Sequence, residues 1–365
     1  MSVRVGNSVV AGNPEDTVVT TNTAQTVTGN KSFTGTITAT TQTYSDKSTK
    51  VATTSFVDSY QRYAVIDESI YPGESLNTKF SSEISSAGSI WAFLHNRASA
   101  GNYTGIHVGD YFTYQTNAGS VAGIHTNTST PNVGTLSVAA ATRTAYIIGL
   151  DHYTGSGVDT NAIGHEITCF TIPTDFFCMW NPTNNNNGTA TNNQPWLASQ
   201  LYAVLNGVSN NSSNKIGNTG YASSGKGILQ LFPTAAQNVM VAKKAYLSSR
   251  YSANAALTSS TTITWQTMGK LWAPSEIEVY GCPVHSIHTN TEVPQWELYG
   301  NSLQYPFFAR SIAHGRLVFG RTSWWTSSIG AYTSSLACGV GSYGIANVSA
   351  TANANYRAPL CFNIG

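Results

Sequence analysis

Two strongly patterned segments near the C-terminal end place the tightest constraint on the fold. Trp324 and Trp325 stand side by side and are followed by small polar residues. Successive side chains of a strand point to opposite faces, so an extended Trp pair places one ring on each face. We therefore expect at least one of the two rings in a core. Residues 360–364 are apolar at every second position, which predicts a half-buried strand.

The segment between these two strands, residues 329–355, contains no Asp, Glu, Lys or Arg. It consists almost entirely of Gly, Ala, Ser, Thr, Asn, Tyr and Val. Such a composition is typical of an adaptable binding surface, in which Tyr supplies contact area and Ser, Gly and Asn supply hydrogen bonds. Short uncharged strands and loops without a binding role have the same composition, so both interpretations stay open at this point.

The low charge of the chain limits its classes of partner. Of 365 residues only 10% are charged and the net charge is +1, whereas an ordinary soluble domain is about 25% charged. The surface is therefore polar without being ionic, which suits an exposed virion or cell-surface protein better than a cytosolic enzyme. The sequence has no cluster of Lys and Arg, and binding of phosphates needs concentrated positive charge. We expect no nucleic acid partner.

The cysteines and the apolar runs exclude further classes. Five cysteines at 169, 178, 282, 338 and 361 are odd in number and lack close CxxC spacing, which favours buried free thiols over a disulfide framework or a zinc knuckle. No run reaches the length of a signal peptide core or of a membrane helix. We expect no membrane insertion, and we expect the protein to reach an exposed location as part of an assembly.

The first 70 residues have a different character, because every Trp and every Cys lies at or after Trp91. A segment so poor in large apolar residues does not build its own globular core. Residues 26–39 alternate with period two, with Val27, Phe33 and Ile37 on the apolar side. A stripe this narrow needs sister chains to cover it, most simply in a homotrimer around an axis. A disordered Thr-rich leader is the alternative.

Residues 45–63 show a helical pattern instead. Ser45 or Asp46 is suited to cap the helix, and apolar residues including Phe56 and Tyr60 recur on one face. A helix this short is unstable alone. The pattern therefore predicts a short three-helix bundle, which again implies self-association.

The remaining sequence mixes helical and strand patterns, which predicts an α+β fold with much irregular loop. Apolar residues recur at helical spacing from Leu76 to Leu94, and Pro195 suits the first turn of a helix. We predict helices at 76–94, 195–205, 235–247 and 275–280, strands at 108–113 and 145–148, and an exposed Asn/Thr-rich loop at 181–193.

The order of several motifs resembles that of a C-type-lectin-like domain that closes gut bacterial surface proteins and phage fibre proteins. The motifs are IGLDHY at 148–153, MWNPTN at 179–184, LWAPSEIEVYG at 271–281, the Trp pair, and RAP at 357–359. Residues 25–33 and 45–63 also resemble elements of phage fibre shafts. The resemblance implies an anchor and extended β stalk at 1–44, a short helical bundle or linker at 45–68, and a C-type-lectin-like receptor-binding domain at 69–365.

The function that this resemblance implies is that of a virion structural fibre. The homotrimer is expected to attach to other virion proteins through its N-terminus and to bind a glycan or protein on the bacterial surface during host adsorption. Alternatives are a capsid (head) fibre or decoration protein, a bacterial surface adhesin, which the missing signal peptide disfavours, and an enzyme.

In several members of the family, retroelement-driven mutagenesis rewrites the segment between the Trp pair and the terminal strand. By resemblance, the expected receptor contacts are Ser327, Ser328, Tyr332, Ser342, Tyr343, Asn347, Asn353 and Asn355. The expected scaffold residues are Trp324, Trp325, Arg357 and Phe362, and the expected trimer contacts in the stalk are Val27, Phe33, Ile37, Phe56 and Tyr60.

The enzyme alternative rests on the fold shared with formylglycine-generating and related enzymes. The scattered cysteines offer no reactive pair. Cys282, His285 and His288 are the nearest approach to a metal site, but no fourth ligand is specified. Glu276 and Glu278, two positions apart, do not form a credible catalytic carboxylate pair on a strand or a helix. We therefore predict no catalytic residue, no metal and no cofactor.

Overall fold

The computed structural model describes residues 3–5, 8–10, 73–125, 133–153, 164–171, 176–185, 195–209, 221–247, 264–286, 304–309, 322–330, 335–351 and 356–365. The chain divides into two units, Met1–Phe56 and Val57–Gly365. In the first unit, β1 (Val3–Val5) and β2 (Ser8–Val10) pair antiparallel. The predicted stalk contacts Val27, Phe33, Ile37, Phe56 and Tyr60 lie outside the described residues.

The second unit combines short helices with antiparallel sheets, so the α+β class is confirmed. The helices are α1 (Leu76–Lys79), α2 (Ser81–Ala87), α3 (Ile90–Ser99), α4 (Pro195–Ala198), α5 (Gln200–Asn206), α6 (Thr234–Val239), α7 (Glu276–Tyr280) and α8 (Pro306–Ala309). The strands are β3 (Tyr111–Gln115), β4 (Gly119–His125), β5 (Val133–Val138), β6 (Thr142–Leu150), β7 (Ile167–Thr171), β8 (Met240–Val241), β9 (Lys244–Leu247), β10 (Thr264–Thr267), β11 (Trp324–Ile329), β12 (Leu336–Val340), β13 (Ala346–Ala350) and β14 (Leu360–Ile364).

A five-stranded sheet of order β3-β6-β7-β14-β8 forms the centre of this unit. The terminal strand β14 lies between β7 and β8, and all five of its residues are buried. The expectation of a half-buried strand is therefore wrong, because both faces of β14 are covered. The Phe362 ring contacts Trp91 of α3 on one face. On the other face, Phe170 of the adjacent strand contacts Trp324.

The Trp pair begins β11 of a second sheet, ordered β11-β12-β13. Both rings are fully buried, so the expectation of at least one core ring is confirmed. Trp324 lies 5.5 Å from the ring of Phe170, and Trp325 lies 4.4 Å from the ring of Tyr356. The indole nitrogen of Trp325 donates to the backbone oxygen of Cys178 at 2.7 Å. The two rings thus pack in different parts of the core.

Two predicted helices, at 76–94 and 195–205, are interrupted. The pattern at 76–94 is divided among α1, α2 and α3, because Gly88 adopts φ 86° and Ser89 starts α3 by accepting the N–H of Ala92. Ser199 likewise separates α4 from α5 by accepting the N–H of Tyr202. Each interruption is made by a residue that caps a helix end.

The helix predicted at 235–247 is wrong over its second half. Helix α6 ends at Val239, and the chain continues into β8 and β9. Met240 and Val241 pair with the last residues of β14. Strand pairing at the edge of the central sheet therefore outweighs the local helical pattern, since intrinsic propensity is a weak determinant beside tertiary contacts. The helix predicted at 275–280 is confirmed as α7.

Two further expectations concern burial. The loop at 181–193 is described up to residue 185; Thr183 and Asn184 are exposed as expected, whereas Asn181 is fully buried. Its side-chain oxygen accepts the N–H of Gln200 at 3.0 Å, which satisfies a polar group away from water.

The five cysteines are free thiols; 169, 178, 338 and 361 are buried, and 282 is exposed. The prediction of buried free thiols is thus confirmed at four positions.

Candidate binding surface

Strands β12 and β13 are joined by a tight turn, residues 341–345, which we call the hairpin tip. The carbonyl of Gly341 accepts the N–H of Gly344, and the N–H of Gly341 donates to the carbonyl of Ile345, each at 2.8 Å. Gly344 has φ 78°. A left-handed residue after a tight turn is the geometry of a hairpin with a bulge, and glycine adopts it without steric cost. The tip is therefore held by backbone hydrogen bonds on both sides.

The hairpin tip carries the two most exposed large apolar side chains in the described part of the chain. Tyr343 is 73% exposed and Ile345 is 61% exposed, followed by Val284 at 41% and Tyr221 at 37%. Residues 335–351 contain no Asp, Glu, Lys or Arg. Exposed apolar side chains that lie together on an uncharged surface mark sites of interaction.

The tip is supported from below by two tyrosines, of which Tyr280 is half-buried and Tyr356 is buried. The hydroxyl of Tyr280, the last residue of α7, donates to the carbonyl of Gly344 at 3.4 Å. The side chain of Asn347 donates to the hydroxyl of Tyr356 at 2.8 Å, and the Tyr356 ring lies against Trp325. The tip is thus connected to the Trp pair through short, defined contacts.

The structure brings three of the expected receptor contacts together. Tyr343 and Asn347 are exposed, and Ser342 is half-buried, all at one end of the β12–β13 hairpin. Ile345 lies in the same tip but was not expected, since isoleucine is by type a core residue. Its position directly after a turn glycine was the available signal, because a turn residue has little chain around it to bury against.

The remaining expected contacts are placed differently. Ser327 is half-buried in β11, and its N–H donates to the carbonyl of Pro274. Ser328 is only 8% exposed, and its hydroxyl oxygen accepts the N–H of Glu276 at 3.0 Å. Ser328 is therefore a buried structural residue in this fold, and we withdraw it as a receptor contact. Tyr332, Asn353 and Asn355 lie outside the described residues.

Beside the tip, helix α7 carries two buried glutamates that sequence reasoning had set aside. Ser275 and Glu278 form a capping box, in which each side chain accepts the other residue's N–H, at 3.2 and 2.8 Å. The Ser-x-x-Glu spacing was the signal for this arrangement. Glu276 has another role that its spacing does not indicate.

The carboxylate of Glu276 organises the loop that follows α7, residues 281–286, which we call the α7 loop. One of its oxygens lies within hydrogen-bond distance of the N–H groups of Val284, His285 and Ser286, at 3.1, 3.0 and 2.9 Å. Glu276 is fully buried. A buried carboxylate that accepts several backbone N–H groups replaces the solvation it loses, and it fixes the backbone that supplies the donors.

Glu278 forms a buried ion pair with Lys243, and Tyr153 donates its hydroxyl proton to the same carboxylate at 2.9 Å. Burial by itself raises the pKa of Glu278, but the adjacent Lys243 ammonium and the Ser275 N–H lower it, and the net pKa lies below the usual value. The Lys243 ammonium also lies 5.5 Å from the centre of the Trp272 ring. We call these residues and Tyr305 the Glu278 cluster. It joins α7 to the central sheet.

The aromatic members of this cluster are kept neutral. Burial, and then the negative charge of Glu278, raise the pKa of the Tyr153 and Tyr305 hydroxyls well above the usual value. The two hydroxyls contact each other, and Tyr153 reaches the Glu278 carboxylate. The polar groups of the cluster bind one another, an arrangement that stabilises packing between distant segments of the chain.

The metal-like residues are not brought into a ligand set within the described residues, where no group of three or more His, Cys, Asp or Glu side chains is placed to hold an ion. Cys282 is exposed, and the N–H of His285 binds Glu276. His288 lies outside the described residues. No helix in the described part of the chain has the length and apolarity needed to cross a membrane.

Comparison of the chain with protein-family models, with curated proteins and with solved structures finds no match. A fold class alone does not assign a function, because one fold supports many functions. Function is therefore inferred from the residues of the hairpin tip and from the sequence resemblance.

Proposed function

We propose that this chain is a trimeric phage fibre protein whose C-type-lectin-like head binds a receptor on the bacterial host surface. The observation that carries the proposal is the exposure of Tyr343 and Ile345, at 73% and 61%, on an uncharged turn. The order of motifs from IGLDHY to the terminal RAP supports the same assignment by resemblance. The expected place of the protein is the exposed fibre of the virion.

The physical case for the hairpin tip rests on how binding energy is distributed. A few aromatic and apolar side chains contribute most of the energy of an interface. A turn already held by backbone hydrogen bonds loses little conformational entropy when it binds, which favours affinity. Because Trp324, Trp325 and Phe362 are fully buried, side chains at the tip can be exchanged without disturbing the core. A surface diversified by mutation needs this separation.

We predict that Tyr343→Ala weakens binding of the full-length chain to host cells by about 2 kcal/mol, or about 30-fold in Kd, as expected for a central interface aromatic. Ile345→Ala is expected to weaken binding in the same direction. The melting temperature is expected to stay unchanged, since both side chains are exposed. Binding is measured by titrating labelled protein onto host cells.

The matched control is Tyr221→Ala, which removes the same side chain from another exposed position, 37% exposed. This control is expected to bind as the unmodified chain does. Unchanged adsorption of both tip variants, or a loss of folding in place of a loss of adsorption, would refute the assignment of the tip as the receptor contact.

The assignment of residues 1–44 as anchor and β stalk, and of 45–68 as helical bundle, rests on sequence alone. We predict that Phe33→Asp combined with Ile37→Asp converts the trimer to smaller species, because charge buried on a shared axis without a partner is strongly unfavourable. Sedimentation equilibrium gives the molecular mass.

The control for this experiment is Thr34→Asp combined with Thr36→Asp, which places the same charges on the polar side of the alternating pattern. This control is expected to remain trimeric. A monomeric unmodified chain, or a Phe33/Ile37 variant that stays trimeric, would contradict the stalk assignment.

Attachment of the fibre is tested by immunolabelling of virions. We expect antibody against the head to label thin fibres that project from the particle. Labelling of the capsid would instead identify the chain as a head fibre or decoration protein. Label on bacteria without phage would assign a cell-surface adhesin and would overturn the proposed function.

A further inference from the structure

The α7 loop, residues 281–286, carries a further exposed apolar side chain on a backbone held by hydrogen bonds. Val284 is 41% exposed. Its own N–H and those of the next two residues bind the buried carboxylate of Glu276. A surface loop usually has mobile backbone, whereas three successive N–H groups on one buried carboxylate hold this one in place. The backbone at Val284 is therefore fixed by hydrogen bonds, as the backbone of the hairpin tip is.

The α7 loop and the hairpin tip are neighbours through Tyr280. The Tyr280 hydroxyl donates to the carbonyl of Gly344 in the tip, and Val284 follows Tyr280 by four positions. Four residues span at most about 14 Å. A standard protein interface covers about 800 Å² on each partner, which corresponds to a patch about 30 Å across. One partner of ordinary size is therefore large enough to reach both segments.

The chemistry of the two segments indicates what such a partner presents. Neither residues 281–286 nor residues 335–351 contain Asp, Glu, Lys or Arg, and the Glu276 carboxylate is fully buried. A complementary surface is therefore uncharged. Sites that recognise a small polar ligand are concave, with polar groups that converge on it. Tyr343 and Ile345 instead stand on a projecting turn, which fits into an apolar cleft of another protein.

We propose that the α7 loop and the hairpin tip form one binding face, and that its partner is a folded host-surface protein with an uncharged apolar cleft. This inference rests on the proposed receptor-binding function and deepens it. It adds Val284 to Tyr343 and Ile345 as an anchor. It also predicts that binding changes little with salt concentration, because neither segment carries Asp, Glu, Lys or Arg.

Cys282 provides a direct probe of the α7 loop. It is exposed, whereas the other four cysteines of the chain are buried. Burial raises the pKa of the Cys178 thiol to about 12, and it raises the pKa of the Cys169 and Cys361 thiols well above the usual value. The thiolate is the reactive form. A maleimide linked to a bulky polyethylene glycol chain therefore modifies the folded protein at Cys282.

We expect this modification of the full-length chain to weaken binding to host cells at least tenfold, with no change in melting temperature. Cys282→Ser is the matched control, and its binding is expected to be the same with and without treatment by the reagent, because the thiol that reacts has been removed. Val284→Asn is a second variant that tests the same loop without a bulky group, and it is also expected to weaken binding.

The outcomes separate this inference from the function on which it depends. If Tyr343→Ala weakens binding but neither Val284→Asn nor the modification at Cys282 does, the α7 loop is not part of the face and the further inference is wrong. If none of these changes matters, the assignment of the hairpin tip as the receptor contact is wrong as well, and the immunolabelling of virions decides separately whether the chain is a fibre protein.

The class of partner is tested on the cells. Protease treatment of host cells is expected to abolish binding, and mild periodate oxidation of surface sugars is expected to leave it intact. Sensitivity to periodate with resistance to protease would identify a glycan receptor and would overturn the choice of a protein partner.

Discussion

Replacing Lys243 by Met is expected to lower the free energy of unfolding by about 3–5 kcal/mol, because it leaves the Glu278 carboxylate buried without its partner. The side chains of Lys243 and Glu278 are only 5% and 3% exposed. Tyr153 and the Ser275 N–H still bind the carboxylate in this variant, but neither neutralises its charge. Urea denaturation of the full-length chain measures the effect on the transition of the C-terminal unit.

Two variants make this result interpretable. Lys243→Met combined with Glu278→Gln removes both charges, and it is expected to recover most of the lost stability, since the uncompensated charge is gone. Lys226→Met removes a lysine that is exposed and is expected to have little effect. If Lys243→Met and Lys226→Met destabilise the protein equally, the ion pair does not contribute to the fold as the structure indicates.

The same pair gives the stability a defined dependence on pH. The pKa of Glu278 is lower in the folded state than its usual value, because the influence of Lys243 and the hydrogen bonds exceeds that of burial. The stabilisation is therefore fully present above the unfolded-state pKa, which is about 4.3 for glutamate. It is lost as the pH falls through the lower, folded-state pKa. Glu278→Gln is expected to abolish this component of the acid dependence.

Replacing Trp325 by Ala is expected to destabilise the C-terminal unit by about 3–5 kcal/mol from lost packing and the cavity that remains. The ring is fully buried and lies 4.4 Å from that of Tyr356, which supports Asn347 below the hairpin tip. Its indole N–H also satisfies the backbone oxygen of Cys178. Thermal unfolding gives the loss in stability, and adsorption to host cells shows whether the tip is disturbed as well.

Trp325→Phe separates the two contributions. It keeps an aromatic ring in the core but leaves the Cys178 carbonyl without the indole donor, which is expected to cost about 1–3 kcal/mol. The alanine variant is expected to be clearly less stable than the phenylalanine variant. Equal stability of the two variants would mean that ring packing on Tyr356 contributes nothing, contrary to the burial of the Trp pair.

Several elements were predictable because their signals are local. The Trp pair and the alternation at 360–364 predicted two strands, and both are present as β11 and β14. The helix at 276–280 follows from Ser275 and Glu278, which satisfy each other's N–H groups within one turn. The uncharged composition at 329–355 was compatible with an exposed surface, and Tyr343 was expected there by resemblance. In each case the residues that determine the conformation are neighbours in the sequence.

Other features depend on segments that meet only after folding. The two faces of β14 are both buried because α3 and β11 arrive from distant parts of the chain. Ser328 is buried because its hydroxyl meets the N–H of Glu276, 52 residues away. The exposure of Ile345 depends on its place at the tip of the hairpin, which its apolar character does not indicate.

The sequence by itself determined the α+β class, the capping of α7 and the uncharged character of the segment at 329–355. Only the tertiary structure decided which polar groups are buried and with which partners. Glu276 and Glu278 have the same side chain, yet one holds the α7 loop and the other pairs with Lys243. The physical reason is that a cap is formed within one turn of the backbone, whereas the burial and compensation of a charge depend on residues that the fold brings to it from elsewhere in the chain.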